Sequence, residues 1–135
     1  MTRLWMLDTN AISLFMHGRS KSLDAEIARR SRTQLCISAI SYGETLYGLA
    51  HRPDASRLAR AAAKLFEMVR IMPWSIATAE YYGPFRAGMR RSGISLQPLD
   101  LLIAAHALEA GVTLVTSDAA FRHVPGLTVE DWTAP

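Results

Sequence analysis

The chain has 135 residues, 50% of them apolar, and carries 15 Lys and Arg against 12 Asp and Glu, a formal net charge of +3. A chain of this length buries roughly two-thirds of its unfolded surface, which supports a hydrophobic core without disulfides. The single cysteine, Cys36, excludes an internal disulfide and favours a reducing compartment. The apolar runs are shorter than the ~18 residues of a membrane helix or the ~7 of a signal peptide. We therefore expect one domain over residues 1–135, in the cytoplasm and away from membranes.

In the first half of the chain, short apolar runs alternate with patterns of helical period. The run at 4–7 is continuously apolar, as in a strand that is covered on both faces. Capping residues follow it at Asp8, Thr9 and Asn10. The pattern predicts, in chain order, strand 4–7, helices 8–16 and 23–32, strand 34–38, and helices 41–50 and 54–69.

The second half continues this alternation. Pro84 lies inside a helical pattern and predicts a kink or break near Tyr82 and Gly83. Pro98 and Asp100 are typical of the start of a helix. The predicted elements are strand 71–74, helices 75–92 and 101–110, strand 113–116 and a short strand 127–129. Because such strands need long crossovers, we expect an α/β fold with a mostly parallel sheet of four to five strands and helices on both faces.

Acidic residues occur where the predicted strands end. Asp8 follows the first strand, Glu44 lies in the first helical turns after the second, and Asp118 lies two residues beyond the fourth. Asp100 reaches the same edge if its helix packs with the N-terminus there. Carboxylates at the carboxyl edge of a parallel sheet, without His or Cys beside them, indicate a site for Mg²⁺ or Mn²⁺.

Each of these acids also has a purely structural interpretation. Asp8 and Asp118 are suited to capping the helices that follow them. Ser41 and Glu44 match a capping box, in which the glutamate bonds to the serine amide. Asp100 is favoured near a helix N-terminus by the helix dipole. The metal-site hypothesis therefore depends on all four acids falling at one edge.

Four segments carry these acids in a recognisable pattern. They are Leu7-Asp8-Thr9-Asn10, Ile37-Ser38 with Glu44-Thr45-Leu46-Tyr47-Gly48, Pro98-Leu99-Asp100 with Ile103-Ala104-Ala105, and Val115-Thr116-Ser117-Asp118. This set resembles the PIN-domain ribonucleases and, among them, the VapC toxins of bacterial toxin–antitoxin pairs. The resemblance extends over nearly the whole chain.

The resemblance implies a PIN-like fold with strand order 3-2-1-4-5 and Mg²⁺-dependent endonucleolytic cleavage of RNA. It implies that Asp8, Glu44, Asp100 and Asp118 are the catalytic acids and the metal ligands. Thr116 would be the hydroxyl that family members often place beside them.

The resemblance also implies partners. The substrate would be tRNA or another structured RNA involved in translation. A cognate VapB-like antitoxin would inhibit the enzyme by covering the site with its C-terminal segment, and the toxin itself would form a homodimer.

Two groups of basic residues lie at helical spacing. Arg86 and Arg90 lie 14 and 10 positions before Asp100, and we predict that they bind substrate phosphates, since the family places an Arg on this helix. A second group, made up of Arg57, Arg60 and Lys64, is more simply a solvated helix face.

Two other functions compete with the ribonuclease, and the sequence argues against the first of them. A haloacid-dehalogenase-like phosphatase also has an Asp after its first strand, but its chemistry needs a second acid two residues later, where this chain has Asn10. The other alternative is a catalytically degenerate PIN-like domain that binds RNA or protein without cleavage. The presence of all four acids favours the active enzyme.

Overall fold

A computed structural model of the chain describes residues 3–134. Within these residues, helices and strands alternate as expected, and no helix is long and apolar enough to cross a membrane. The elements are β1 Trp5–Leu7, α1 Thr9–Met16, α2 Lys21–Ala28, β2 Leu35–Ser38, α3 Ala39–His51, α4 Ser56–Met68, β3 Arg70–Met72, α5 Ile76–Arg91, α6 Pro98–Ala110, β4 Thr113–Val115 and β5 Val129–Glu130. A short 3₁₀ helix covers Ala119–His123.

The five strands form one parallel sheet in the order β3-β2-β1-β4-β5. The central strand β1 pairs with β2 on one side and β4 on the other, so that Met6 lies between Cys36 and Leu114. The expected strand order and the parallel pairing are both confirmed. All five strands therefore end at the same edge of the sheet.

Side chains alternate along each strand and bury two cores, one on each face of the sheet. Leu7 joins a core with residues of α1, α2 and α4. Met6 and Cys36 join the opposite core with residues of α5 and α6. Helices thus cover both faces, as predicted, and Cys36 is a fully buried core residue.

Helix α3 begins earlier than the sequence pattern predicts. Ser38 is its N-cap, and the Ser38 Oγ accepts a hydrogen bond of 3.1 Å from the Ile40 amide. Ser41 is therefore the third residue of the helix and not its N-cap. The capping box that the sequence suggests for Ser41 and Glu44 is wrong, and the Glu44 carboxylate is free for another role.

Helix α5 runs through Pro84 without interruption. Proline removes the hydrogen bond to the carbonyl of Glu80, four residues earlier. Both Pro84 and Glu80 are exposed, so water can reach this turn of the helix. The break predicted near Tyr82 and Gly83 is therefore wrong.

Smaller differences concern the ends of elements. Strand β3 ends at Met72 because Pro73 follows it, and α2 ends at Ala28, four residues before the predicted limit. Strand β5 is shifted from the predicted 127–129 to Val129–Glu130.

Candidate active site

Asp8 lies directly after β1, at the centre of the sheet edge. Its Oδ1 accepts a hydrogen bond of 2.7 Å from the Ala11 amide and thereby caps α1. The side chain is almost completely buried. Burial raises the pKa of Asp8 to about 6, against the lowering effect of bonds to Thr116 and Ala11, and the charges of Asp100 and Asp118 raise it further. The protein thus keeps a carboxylate here against a substantial electrostatic penalty.

Asp100 lies in the first turn of α6. Burial is the main reason that its pKa is raised, and the negative charges of Asp118 and Glu44 add to the effect. Helix α6 therefore packs with its N-terminus at the carboxyl edge of the sheet. The structure brings Asp8, Glu44, Asp100 and Asp118 into one electrostatically coupled group.

Glu44 is held by a pair of hydroxyl groups. The Glu44 Oε1 accepts a hydrogen bond of 2.7 Å from the Thr9 Oγ1, and the Thr9 and Ser41 hydroxyl oxygens are 3.0 Å apart. The Thr9 hydroxyl lies within donating distance of both the Glu44 carboxylate and the Ser41 hydroxyl, and its single proton bonds to one of them at a time. Sequence reasoning missed this role of Thr9 and Ser41. The one signal for it was the position of Thr9 next to Asp8.

Asp118 and Thr116 complete the edge beyond β4. The Asp118 Oδ1 accepts from the Ala120 amide at 2.9 Å and caps the 3₁₀ helix, as the structural interpretation predicts. The Asp118 amide in turn donates to the Thr116 Oγ1 at 3.0 Å. Thr116 also lowers the pKa of Asp8, so this buried hydroxyl acts on the central acid while it accepts from the amide of the peripheral one.

The donor set suits a hard divalent cation. Carboxylate oxygens are the ligands that Mg²⁺ and Mn²⁺ prefer, and a cation would offset the repulsion that raises the pKa of Asp8 and Asp100. Within residues 3–134, no three His, Cys, Asp or Glu side chains already stand close enough together to hold an ion. Helix caps engage one oxygen each of Asp8 and Asp118, Oδ1 in both cases, and the second oxygen of each carboxylate takes no part in the cap.

Arg86 and Arg90 lie on the exposed side of α5. Together with Leu101, the neighbour of Asp100, they line a cavity of about 320 Å³. The Arg86 Nη1 donates to the Tyr82 hydroxyl at 2.6 Å. Both predicted phosphate-binding residues thus border the part of α6 that carries an acid.

The basic residues of α4 lie elsewhere. Arg57 and Lys64 line a different cavity, together with Phe15 and Met68. None of the four acids borders that cavity. The interpretation of this helix face as a solvated surface agrees with its position.

A further groove opens beside Glu44. It has a volume of about 290 Å³ and lies between α1, α3 and α4. Its wall near the acids contains Thr9 and Glu44, and its far end is lined by Met16, Leu49 and Leu58. The groove therefore leads from an apolar surface to the acidic group.

Comparison with known proteins agrees with this architecture. The PIN domain model matches residues 5–127. The tRNA(fMet)-specific endonuclease VapC of Shigella flexneri is 30% identical over 129 residues, which cover 95% of this chain and 97% of that protein. The family match therefore includes every element from β1 to β4.

Among the similar solved structures are toxin–antitoxin complexes. A chain in the crystal structure of DNA-bound VapBC from Salmonella typhimurium superposes with a TM-score of 0.88 at 26% identity, covering 98% of this chain and 99% of that one. A chain of VapBC2 from Rickettsia felis, bound to a promoter DNA fragment, gives a TM-score of 0.86 at 26% identity, with coverage of 96% and 98%. The chain thus belongs to the PIN-domain family and, within it, to the VapC proteins.

Proposed function

We propose that this protein is a metal-dependent endoribonuclease and the toxin of a toxin–antitoxin pair. The observation that carries the proposal is the convergence of Asp8, Glu44, Asp100 and Asp118 at one edge of the sheet, where burial and mutual repulsion raise the pKa of two of them. The names of the similar proteins, endonuclease and ribonuclease, support the same activity.

In this proposal Asp8 and Asp100 hold Mg²⁺ or Mn²⁺ directly, while Glu44 and Asp118 complete the acidic set. A divalent cation bound there supplies an acidified water and neutralises charge on the scissile phosphate. Hydrolysis is expected to leave a 5′-phosphate and a 3′-hydroxyl.

Four neutral and basic residues of the chain support the acids. Thr116 orients Asp8 through its hydroxyl, and Thr9 orients Glu44. Arg86 and Arg90 would bind the phosphates that flank the cleaved bond, because guanidinium groups pair well with phosphate oxygens. The chain thus offers separate groups for the ion and for the RNA backbone.

We propose tRNA, or another structured RNA involved in translation, as the substrate. Support comes from the Shigella flexneri relative, which is named for its specificity toward tRNA(fMet). Phosphate contacts position an RNA without specifying its sequence. The choice of RNA therefore depends on the shape of the surface around Arg86, Arg90 and the loop at 92–97.

A VapB-like antitoxin is the proposed inhibitor, and its C-terminal segment would occupy the groove beside Glu44. Support comes from the apolar residues Met16, Leu49 and Leu58 at the far end of that groove and from the VapBC complexes among the similar structures. An amphipathic segment that binds the apolar end would place its terminus at the acids.

A homodimer is also part of the proposal. Large apolar side chains are exposed on α3 and at the start of α5, including Tyr47, 72% exposed, and Ile76, 81% exposed. Apolar surface of this kind is typical of a contact between copies.

The test is cleavage of total cellular RNA by the purified protein, with Mg²⁺ and with a chelator, followed by sequencing of the fragment ends. We expect discrete cuts within a small set of RNAs, with 5′-phosphate ends, and no cuts with the chelator. Cleavage that persists in the chelator would contradict the metal dependence. Tight Mn²⁺ binding without any cleavage would favour the degenerate domain.

A further inference from the structure

A buried hydrogen bond joins helix α6 to the start of helix α3. The Nδ1 of His106 lies 2.7 Å from the Oγ of Ser38, and both residues are almost inaccessible to solvent. The rings of Trp74 and His106 form a T-shaped pair, with centroids 5.6 Å apart and planes at 73°. The imidazole is therefore held in one orientation.

The hydrogen bonds around Ser38 are compatible with a neutral form of this histidine. The Ser38 Oγ already accepts from the Ile40 amide, so the single hydroxyl proton is free to be donated to the Nδ1 of His106. That arrangement requires a neutral imidazole with its proton on Nε2. Burial lowers the pKa of His106, against the opposing charge of Glu109, and so favours the same neutral form.

The two bonded residues occupy related positions on acid-bearing helices. Ser38 caps α3 six residues before Glu44, and His106 follows Asp100 by six residues on α6. Among residues 3–134, no other side-chain hydrogen bond joins these two helices. The negative charges of Glu44 and Asp100 repel each other, which tends to push the helix ends apart.

We propose that His106 is a positioning residue of the candidate site. Through Ser38 it fixes α6 against the start of α3, and so holds Asp100 and Glu44 at a separation that a divalent cation can bridge. The inference rests on the proposed metal-dependent function and adds to it a residue that touches neither the ion nor the RNA.

A residue that only fills the core would behave differently. Leucine occupies a similar volume but cannot accept a hydrogen bond, whereas the Oδ1 of asparagine can lie near the position of Nδ1 and accept from Ser38. If His106 acts only by packing, His106→Leu is the milder change. If it acts through the bond, His106→Asn is the milder change.

The experiment measures Mn²⁺ binding to the full chain without RNA, by electron paramagnetic resonance of the free ion. The variants are His106→Leu, His106→Asn, Ser38→Ala and the double variant His106→Leu/Ser38→Ala. Ile27→Val, a change in the buried face of α2, is the matched control for a loss of core packing. Urea denaturation of each variant reports its stability separately.

We expect Mn²⁺ affinity to fall about tenfold in His106→Leu and in Ser38→Ala, with no further loss in the double variant, because both changes remove the same bond. His106→Asn and Ile27→Val should stay within about twofold of the wild type. If His106→Leu does not fold, a wild-type affinity in Ser38→Ala overturns the inference.

Two other results have distinct meanings. Wild-type affinity in His106→Leu, or equal loss in His106→Asn and His106→Leu, would overturn the positioning role and leave the proposed function intact. A wild-type chain that binds no Mn²⁺ would overturn the proposed metal dependence, and the positioning role with it.

Discussion

Asp8 combines a structural and a chemical role in one carboxylate. It caps α1 through Ala11, yet its burial raises its pKa from an ordinary 3.8 to about 6. The folded protein therefore binds this proton more tightly than the unfolded chain does. The stability that Asp8 contributes is fully present below pH 3.8 and is lost as the pH rises through about 6.

This behaviour predicts the effect of Asp8→Asn on stability. Asparagine keeps an oxygen for the Ala11 amide but carries no charge. In the absence of divalent ions, we expect the variant to be more stable than the wild type at pH 8 by about 2 to 3 kcal/mol. The difference should disappear near pH 4. Urea denaturation at the two pH values measures this difference. A variant that is less stable than the wild type at pH 8 would contradict the raised pKa of Asp8.

Thr9 offers a second test at the residue scale. Thr9→Val keeps the shape of the side chain but removes the hydroxyl that holds Glu44. We expect ribonuclease activity to fall about tenfold or more, as for other partners of metal-binding groups. Thr9→Ser should restore most of the activity. The control is Ser13→Ala, because Ser13 is exposed and lines the same groove. Equal losses of activity in Thr9→Val and Ser13→Ala would refute the role of Thr9.

Residues differ in how far sequence predicts their place in the site. Asp8 follows β1 directly and Asp118 lies three residues beyond β4, so the parallel topology alone brings them to one edge. The bond between Thr9 and Ser41 spans 32 positions, and that between Ser38 and His106 spans 68. Such contacts depend on the exact starting residue and rotation of α3 and α6, which hydrophobic periodicity does not define. The catalytic role of the four acids stays a prediction.

At the scale of elements, the sheet order and the alternation of helices followed from the pattern, while helix ends depended on local contacts. Helix α3 begins at Ala39 because Ser38 caps it and is itself held from α6. That restraint comes from a distant helix and leaves no local mark in the sequence. The continuity of α5 through Pro84 has a different cause, since water can reach the exposed turn that proline weakens.

Helix α5 provides the prediction at this scale. Pro84→Ala restores an amide that can bond to the Glu80 carbonyl and removes the steric conflict within the turn. We expect the free energy of unfolding to rise by about 1 to 3 kcal/mol. A small part of this gain is lost because alanine restricts the unfolded chain less than proline does. Urea denaturation measures the change. A loss of stability would show that α5 requires the geometry of proline.

At the scale of the whole molecule, the modest net charge conceals two regions of opposite sign. When the four acids of the site are set aside, 8 of the 12 acidic residues remain against 15 basic ones, an excess of seven. A cation-binding acidic group on a basic surface suits an enzyme that acts on a polyanion.

The basic surface predicts how RNA binding depends on salt. In a catalytically inactive variant of the protein, replacing both Arg86 and Arg90 with Gln should weaken the binding of RNA. It should also reduce the slope of log K against log salt by about 1 to 2. Arg29→Gln/Arg32→Gln is the control, because Arg29 pairs with Glu26 and both arginines precede β2, away from the acids. Equal slopes in the two double variants would exclude a phosphate-binding role for α5.

The most direct test of the central claim is the rate at which the protein cleaves an RNA substrate as Mg²⁺ is varied, measured for the wild type, Asp100→Asn and Asp54→Asn. Asp54 is an exposed acid outside the candidate site. We predict that Asp54→Asn matches the wild type and that Asp100→Asn loses on the order of 100-fold or more at every Mg²⁺ concentration. An Asp100→Asn protein that cleaves RNA at the wild-type rate would contradict the assignment of the acidic edge as the nuclease site.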